Sequence, residues 1–143
     1  MRKIINGDVN LSKLHLTELF DLSDVEVTGD FYCVSNNLTS LEGAPHTVGG
    51  SFFCNSNNLT SLKGAPHTVG KSFSCYNTNL TSLKGAPQTV GGDFDCGKNN
   101  LTNLEGSPHT VGGFFYISYS LKDKFPEEYI RSLSKIRGNV FYY

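Results

Sequence analysis

The chain has 143 residues, of which 38% are hydrophobic, and its formal net charge at pH 7 is −1. This length fits one domain with a narrow continuous core, and the near-neutral charge argues against the basic surface of a nucleic-acid or anionic-membrane binder. Because no run of eighteen apolar residues occurs and the basic N-terminus is followed by only two apolar residues, we expect a cytoplasmic protein with neither a membrane span nor a signal peptide.

Residues 1–26 are an imperfect copy of a unit that recurs through the rest of the chain. Their apolar positions match the later units when the spacing is 22 residues rather than 21. Terminal units of repeat proteins are commonly atypical because they cover the end of the core. We therefore predict an N-terminal cap, whose matching positions are Ile5, Gly7, Val9, Leu11, Leu16 and Leu19.

Residues 27–118 repeat with a period of 21 residues, as Phe52 and Phe73 or Leu59 and Leu80 illustrate. A fixed period of this length indicates an array in which each unit buries its apolar face against the next. The column that begins at Val27 holds Val48, Val69, Val90 and Val111, and the column that begins at Phe31 holds Phe52, Phe73, Phe94 and Phe115. Other columns hold leucine, proline and cysteine, the last being Cys33, Cys54, Cys75 and Cys96.

Each unit divides into a strand and a return segment. Apolar residues alternate across Phe52 to Cys54, which predicts a strand, and glycine pairs such as Gly49-Gly50 precede it. Gly64-Ala65-Pro66 interrupts the return segment and prevents a long helix there. The expected fold class is a repeat solenoid with one parallel β-sheet and short non-helical return segments.

The segment from Phe52 to Leu59 resembles the LxLxxNxL core of leucine-rich repeats. With its Leu-Thr-Ser-Leu-Lys/Glu-Gly-Ala-Pro continuation it is similar to a short repeat subtype of bacteriophage and bacterial proteins, and the resemblance covers residues 5 to 118. Phe and Cys stand where that family usually has Leu, and the return segment is shorter than in units with a helix. The resemblance implies a column of inward side chains that bond the backbone of neighbouring turns, namely Asn36, Asn57, Thr78 and Asn99.

Residues 119–143 leave the period. Pro126 suits the first position of a helix, and Lys135, Arg137 and Gly138 suit its end. We expect a C-terminal helix that covers the open end of the core, followed by a last strand beginning at Gly138. The apolar stripe expected to face the core is Phe125, Tyr129, Ile130, Leu133 and Ile136.

Cysteine, histidine and aspartate are the residue types in this chain that could carry chemistry. The cysteines have no CxxC pair, so we interpret them as small apolar core residues rather than metal ligands. A histidine column at positions 46, 67 and 109 is broken by Gln88 and fits exposed loops. Asp93 and Asp95 share one strand face without a nearby base or nucleophile. The sequence therefore predicts no catalytic residue, metal site or cofactor.

The outward strand positions vary between units, whereas the core columns are nearly constant. Aromatic residues on an open sheet are typical of protein interfaces, although they also fit any strand surface. Asp93 and Asp95 would favour a partner with Arg or Lys. The predicted partner-binding residues are Tyr32, Phe53, Tyr76, Asp93, Asp95, Phe114 and Tyr116.

Three functions stay open at this point. The favoured one is a non-enzymatic protein-binding module, and the resemblance implies, as its specific form, a phage inhibitor of a host enzyme or defence protein. The alternative is a small-ligand-sequestering protein that self-associates, with a pocket made by the aromatic residues and Asp93 or by Phe141-Tyr142-Tyr143. A hydrolase is third, because no convergent set of acid, base and nucleophile is found.

Overall fold

A computed structural model describes residues 3–143 as a parallel β-solenoid of about seven turns. Each turn contributes one short strand to each of two sheets. A 3₁₀ turn spans Tyr119–Leu121, and one helix, α1, spans Glu127–Leu133. The strands in chain order are β1 (Lys3–Ile5), β2 (Val9–Asn10), β3 (Val25–Val27), β4 (Phe31–Tyr32), β5 (Thr47–Val48), β6 (Phe52–Phe53), β7 (Thr68–Val69), β8 (Phe73–Ser74), β9 (Thr89–Val90), β10 (Phe94–Asp95), β11 (Thr110–Val111), β12 (Phe115–Ile117), β13 (Lys135–Ile136) and β14 (Val140–Tyr142).

The odd-numbered strands form one seven-stranded sheet, here called the Thr-Val sheet, and the even-numbered strands form the other, the Phe sheet. All neighbours are parallel, and the register keeps each sequence column together, so that Phe52 pairs with Phe31 and with Phe73. The first turn pairs with the second at the predicted spacing of 22 residues between matching positions, since Val9 pairs with Phe31. The solenoid and its imperfect first turn are therefore confirmed.

The number of sheets corrects the sequence prediction, which expected one. The sheet that the sequence did not predict is the Thr-Val sheet, which consists mainly of two-residue strands such as Thr47–Val48. The strands of the Phe sheet are equally short, but apolar alternation continues beyond them from Phe52 to Cys54, whereas the residues two positions from Val48 are His46 and Gly50 and show no alternation. Stacking nevertheless places these backbone amide and carbonyl groups next to those of the adjacent turns, where burial requires them to pair.

The core is a set of ladders running along the solenoid axis. The rings of Phe31, Phe52, Phe73 and Phe94 stack with centroids 5.1 to 5.7 Å apart and are fully buried. The four cysteines are free and buried beside them, which confirms their interpretation as core residues. Burial raises the pKa of the Cys33 thiol to about 12, so at neutral pH this side chain is a protonated, apolar-like group.

The predicted column of inward polar side chains, three asparagines and Thr78, is present. Asn57 accepts a hydrogen bond from the Leu38 amide at 3.0 Å and donates to the carbonyl oxygens of Cys33 at 2.9 Å and Cys54 at 3.0 Å. It thereby satisfies buried backbone groups of two successive turns. Thr78 is shorter, and its hydroxyl donates to the Cys75 carbonyl at 2.8 Å. Asn36 and Asn99 make the same kinds of hydrogen bond as Asn57, accepting from a backbone amide and donating to a backbone carbonyl.

The C-terminal cap follows the prediction in outline, with a shorter helix. It begins directly after Pro126 and ends at Leu133, because the next residues form β13, which pairs with Thr110 and Val111. Phe125, Ile130 and Ile136 are buried against the last turn, whereas Tyr129 is 43% and Leu133 40% exposed, so only part of the predicted stripe faces the core. The last strand is confirmed as β14, which pairs with β12. Within residues 3–143, no helix has the length and apolar character needed to cross a membrane.

Candidate interface on the outward face of the Phe sheet

We call the side of the Phe sheet that points away from the core the outward face. It is formed by the residues on either side of each buried core Phe and by the residue that follows each core Cys, and all seven predicted partner-binding residues belong to it. Phe114 is 38% exposed, while Tyr32, Phe53, Tyr76 and Tyr116 are half-buried. The sequence predicted exposed rings; they are partly covered because they pack on one another.

The aromatic residues form two groups. Tyr32 and Phe53 stack with centroids 5.2 Å apart, and the Tyr32 hydroxyl donates to Asp30 at 3.1 Å. Further along the sheet lies the C-terminal aromatic cluster. Its rings contact at 5.2 to 6.2 Å between centroids, and its members are Tyr76, Phe114, Tyr116, Phe141 and Tyr143.

The last residues of the chain are part of this surface. Tyr143 stacks on Tyr76 at 6.0 Å, and its hydroxyl donates to Asp95 Oδ1 at 2.6 Å. Phe141 stacks on Tyr116 at 5.5 Å. Tyr142, between them, faces the other way and donates to the Phe125 carbonyl at 2.6 Å. Phe141 and Tyr143, which the sequence suggested as part of a separate pocket, therefore belong to the same surface as the predicted partner-binding residues. Alternation along β14 was the sequence signal that could have predicted this, because alternate residues of a strand face the same side.

A shallow groove of about 360 Å³ separates the Tyr32–Phe53 pair from the C-terminal aromatic cluster. We call it the serine groove, because small side chains line it where neighbouring strands carry rings. Four of its residues were missed by sequence reasoning, since serine and asparagine on an outward position carry no aromatic signal. Its lining comprises Ser51, Phe53, Asn55, Ser72, Phe73, Ser74, Asp93, Asp95 and Tyr116.

Asp93 has a structural task that the sequence did not reveal. Its Oδ1 accepts from the Phe114 amide at 2.8 Å, and its own amide donates to Ser72 Oγ at 3.0 Å. Ser51 and Asp30 accept in the same way from the next turn. A short polar side chain just before the strand thus bonds the following turn in five consecutive turns. The signal in the sequence was a column that holds Asp or Ser at positions 8, 30, 51, 72 and 93 and changes to Phe only at position 114.

The two carboxylates give the groove a negative charge. Burial raises the pKa of Asp95, while hydrogen bonds from the Tyr143 hydroxyl and the Gly97 amide oppose that rise. Burial and the bond to Asp95 raise the pKa of Tyr143. The ion pairs found among residues 3–143 lie elsewhere, so no basic side chain in this range is within 4.0 Å of Asp93 or Asp95. The charge of the groove is therefore uncompensated within this part of the chain.

We predict that Asp95→Asn stabilises the protein at neutral pH and that the gain disappears in acid. The folded-state pKa of Asp95 lies above its ordinary value, so wild type loses stability as the pH rises between those two values, whereas Asn keeps the acceptor oxygen without the charge. Urea unfolding at pH 3 and pH 7 measures the difference.

Tyr143→Phe is the matched variant for this prediction. It removes a hydrogen bond that favours the ionised carboxylate, so the pKa of Asp95 should rise further, as followed by the NMR signal of the carboxyl carbon. A gain for Asp95→Asn that is equally large at both pH values would contradict the assignment.

The other polar groups are arranged differently. His46 and His67 stack at 6.4 Å on exposed positions, and the Nδ1 of each lies 3.1 to 3.3 Å from the hydroxyl of the following threonine. A second groove, of about 580 Å³, lies between α1 and the last repeats and is lined in part by His109, Tyr129 and Leu133. Throughout residues 3–143 no group of three or more His, Cys, Asp or Glu side chains is placed to hold a metal ion.

Comparison with protein-family models, with curated protein sequences and with solved structures found no match to this chain. The solenoid is therefore established by the periodicity of the chain and by its strand register.

Proposed function

We propose that this protein is a non-enzymatic binding module that holds a protein partner against the outward face of the Phe sheet. One observation carries the proposal: aromatic rings lie on the outside of a sheet whose inner face is already filled by its own Phe column. Phe114, Phe141 and Tyr143 are 38%, 39% and 51% exposed, whereas the core rings are fully buried. Partly exposed aromatic residues gathered on one surface are characteristic of protein interfaces.

The scaffold adds to the argument by holding the rings in place. The strands that carry Phe53, Tyr116 and Phe141 are bonded to neighbours on the adjoining turns. Tyr143 is held by its hydrogen bond to Asp95. A surface fixed in this way loses little conformational entropy when a partner binds, which favours affinity.

The finer form of the proposal rests on the resemblance of the Phe52-to-Leu59 motif and its Gly-Ala-Pro continuation to short phage and bacterial leucine-rich repeats. We propose that the units of this chain are repeats of that subtype and that the protein inhibits a host enzyme or defence protein in the host cytoplasm. The support for this step is that motif, together with the extended binding surfaces that solenoid repeats provide.

Affinity capture with two matched triple variants tests the proposal. The first replaces Tyr32, Phe53 and Tyr116 on the outward face by alanine. The second replaces three aromatic residues outside that face, which are 58%, 64% and 43% exposed, namely Phe20, Tyr119 and Tyr129. We expect the partner captured by wild type to bind the outward-face variant about tenfold more weakly or worse and to bind the second variant unchanged.

Circular dichroism must first show that both variants are folded. Equal capture by both variants would contradict the proposal. A small-molecule mass adduct in native mass spectrometry that only the outward-face variant loses would instead support the ligand-sequestering alternative.

A further inference from the structure

The column of outward residues that runs through the centre of the Phe sheet is a stack of rings with a gap. In register it reads Tyr32, Phe53, Ser74, Asp95, Tyr116 and Phe141. Rings stack at both ends, with centroids 5.2 and 5.5 Å apart, and two consecutive strands carry none. Because strands are spaced by about 4.8 Å, the gap has room for a flat group. Tyr32 covers one side of the Phe53 ring, and the other side borders the serine groove.

The outward face is acidic at the positions that flank the core column of Val9 and the Phe residues. Its charged residues there are Asp8, Asp30, Asp93 and Asp95, although the whole chain carries a formal charge of only −1. Within the groove, Asp93 and Asp95 use Oδ1 for bonds inside the protein. Their Oδ2 atoms accept no hydrogen bond from residues 3–143 and are available to an external donor.

A third acceptor points to the same chemistry. The side-chain oxygen of Asn55, which lines the groove, is buried and has no hydrogen-bond partner among the described residues. A buried acceptor without a donor costs free energy, so a ligand or a water that supplies an N–H or O–H group is favoured there. The groove thus combines an open aromatic ring face, uncompensated negative charge and an unmet acceptor.

We propose that the serine groove binds an arginine side chain of the partner protein, an inference that rests on the proposed function of the outward face. The guanidinium lies over Ser74, stacks on the free side of the Phe53 ring and donates to the Oδ2 atoms of Asp93 and Asp95. Guanidinium is planar, weakly hydrated and carries five donors, so it satisfies the ring and the carboxylates together. Lysine matches the charge, but it lacks the plane and is more strongly hydrated.

Titration of the ¹⁵N-labelled protein with acetyl-Gly-Arg-Gly-amide tests this directly. The matched probe is the same peptide with citrulline, which keeps the shape of arginine without its charge. We expect the arginine peptide to shift the amide signals of Phe53, Ser74 and Asp95. We expect the citrulline peptide to bind about tenfold more weakly or not at all.

Two variants locate the site. Asp93→Asn with Asp95→Asn in one protein removes both charges while keeping the acceptor oxygens that bond Phe114 and Gly97. This double variant should bind the arginine peptide about tenfold more weakly. Asp30→Asn is the control, because Asp30 bonds the next turn in the same way but does not line the groove. It should bind like wild type.

Equal binding of the arginine and citrulline peptides, an unchanged affinity in the double variant, or no groove shifts at any soluble peptide concentration would each overturn the proposal. These results are separable from a failure of the proposed function. If the outward-face triple variant loses the partner while arginine and citrulline do not differ, the binding module stands and the arginine site falls. If the arginine peptide behaves as expected while both triple variants capture the partner equally, the partner binds elsewhere.

Discussion

Leu80→Ala is expected to lower the free energy of unfolding by about 2 to 5 kcal/mol. Leu80 lies in the middle of the solenoid, is fully buried and belongs to the leucine column of Leu59 and Leu101. The turns on both sides are held at fixed spacing by backbone hydrogen bonds such as Asn100 N–H to the Leu80 carbonyl at 2.9 Å. The chain therefore has little freedom to collapse into the space left by the missing side chain. Urea unfolding followed by circular dichroism measures the effect.

Leu14→Ala is the matched control for this prediction. Leu14 is 52% exposed in the first turn, so removing its side chain should change the free energy of unfolding by no more than about 0.5 kcal/mol. A loss for Leu80→Ala as small as that of Leu14→Ala would mean that the leucine columns do not form the core.

Gly64→Ala is expected to destabilise the protein by about 3 kcal/mol or more. Gly64 has a φ of +93°, where an L side chain is strained, and a Cβ built on it would collide with the backbone of Leu41 and Glu42 on the preceding turn. Backbone atoms of a neighbouring turn are unable to move aside without breaking the ladders. The substitution therefore forces two turns apart, which thermal and urea unfolding would both report.

Gly7→Ala separates the cost of the positive φ from the cost of the collision between the added Cβ and the preceding turn. Gly7 has nearly the same φ, +95°, but nothing lies within 4 Å of a Cβ built on it. Its replacement should cost only the backbone strain, about 1 to 2 kcal/mol. If Gly7→Ala and Gly64→Ala cost the same, close stacking of the turns contributes nothing to the requirement for glycine at the Gly-Ala-Pro turn.

Stacking explains why so much of the fold was predictable from the sequence. Each turn meets its neighbours in the same geometry, so the same side chain is required at every repeat of a core position. For that reason the sequence predicted the Phe column, the inward column that includes Asn57 and the spacing of 22 residues at Val9. The outward positions followed from strand alternation, which placed Tyr32, Phe53 and Tyr116 on one face.

Other contacts join residues on different turns at positions that do not repeat. These contacts depend on how the turns pair and are visible only in the three-dimensional structure. The serine groove exists because Ser74 and Asp95 fall next to each other in register between strands that carry rings. Tyr143 completes the C-terminal aromatic cluster because β14 pairs with β12, which brings its hydroxyl to Asp95, 48 residues away along the chain.

The same distinction accounts for the predictions that needed correction. The Thr-Val sheet, the early end of α1 at Leu133 and the bond that Asp93 accepts from the Phe114 amide all arise from backbone groups that must find partners on an adjacent turn. The repeating unit, its core and the side of each strand that faces outward all follow from the order of residues along the chain. The pairing of turns, which sets what each backbone amide and each outward side chain touches, determined the shape and charge of the surface, because such neighbours are close in space and distant in the chain.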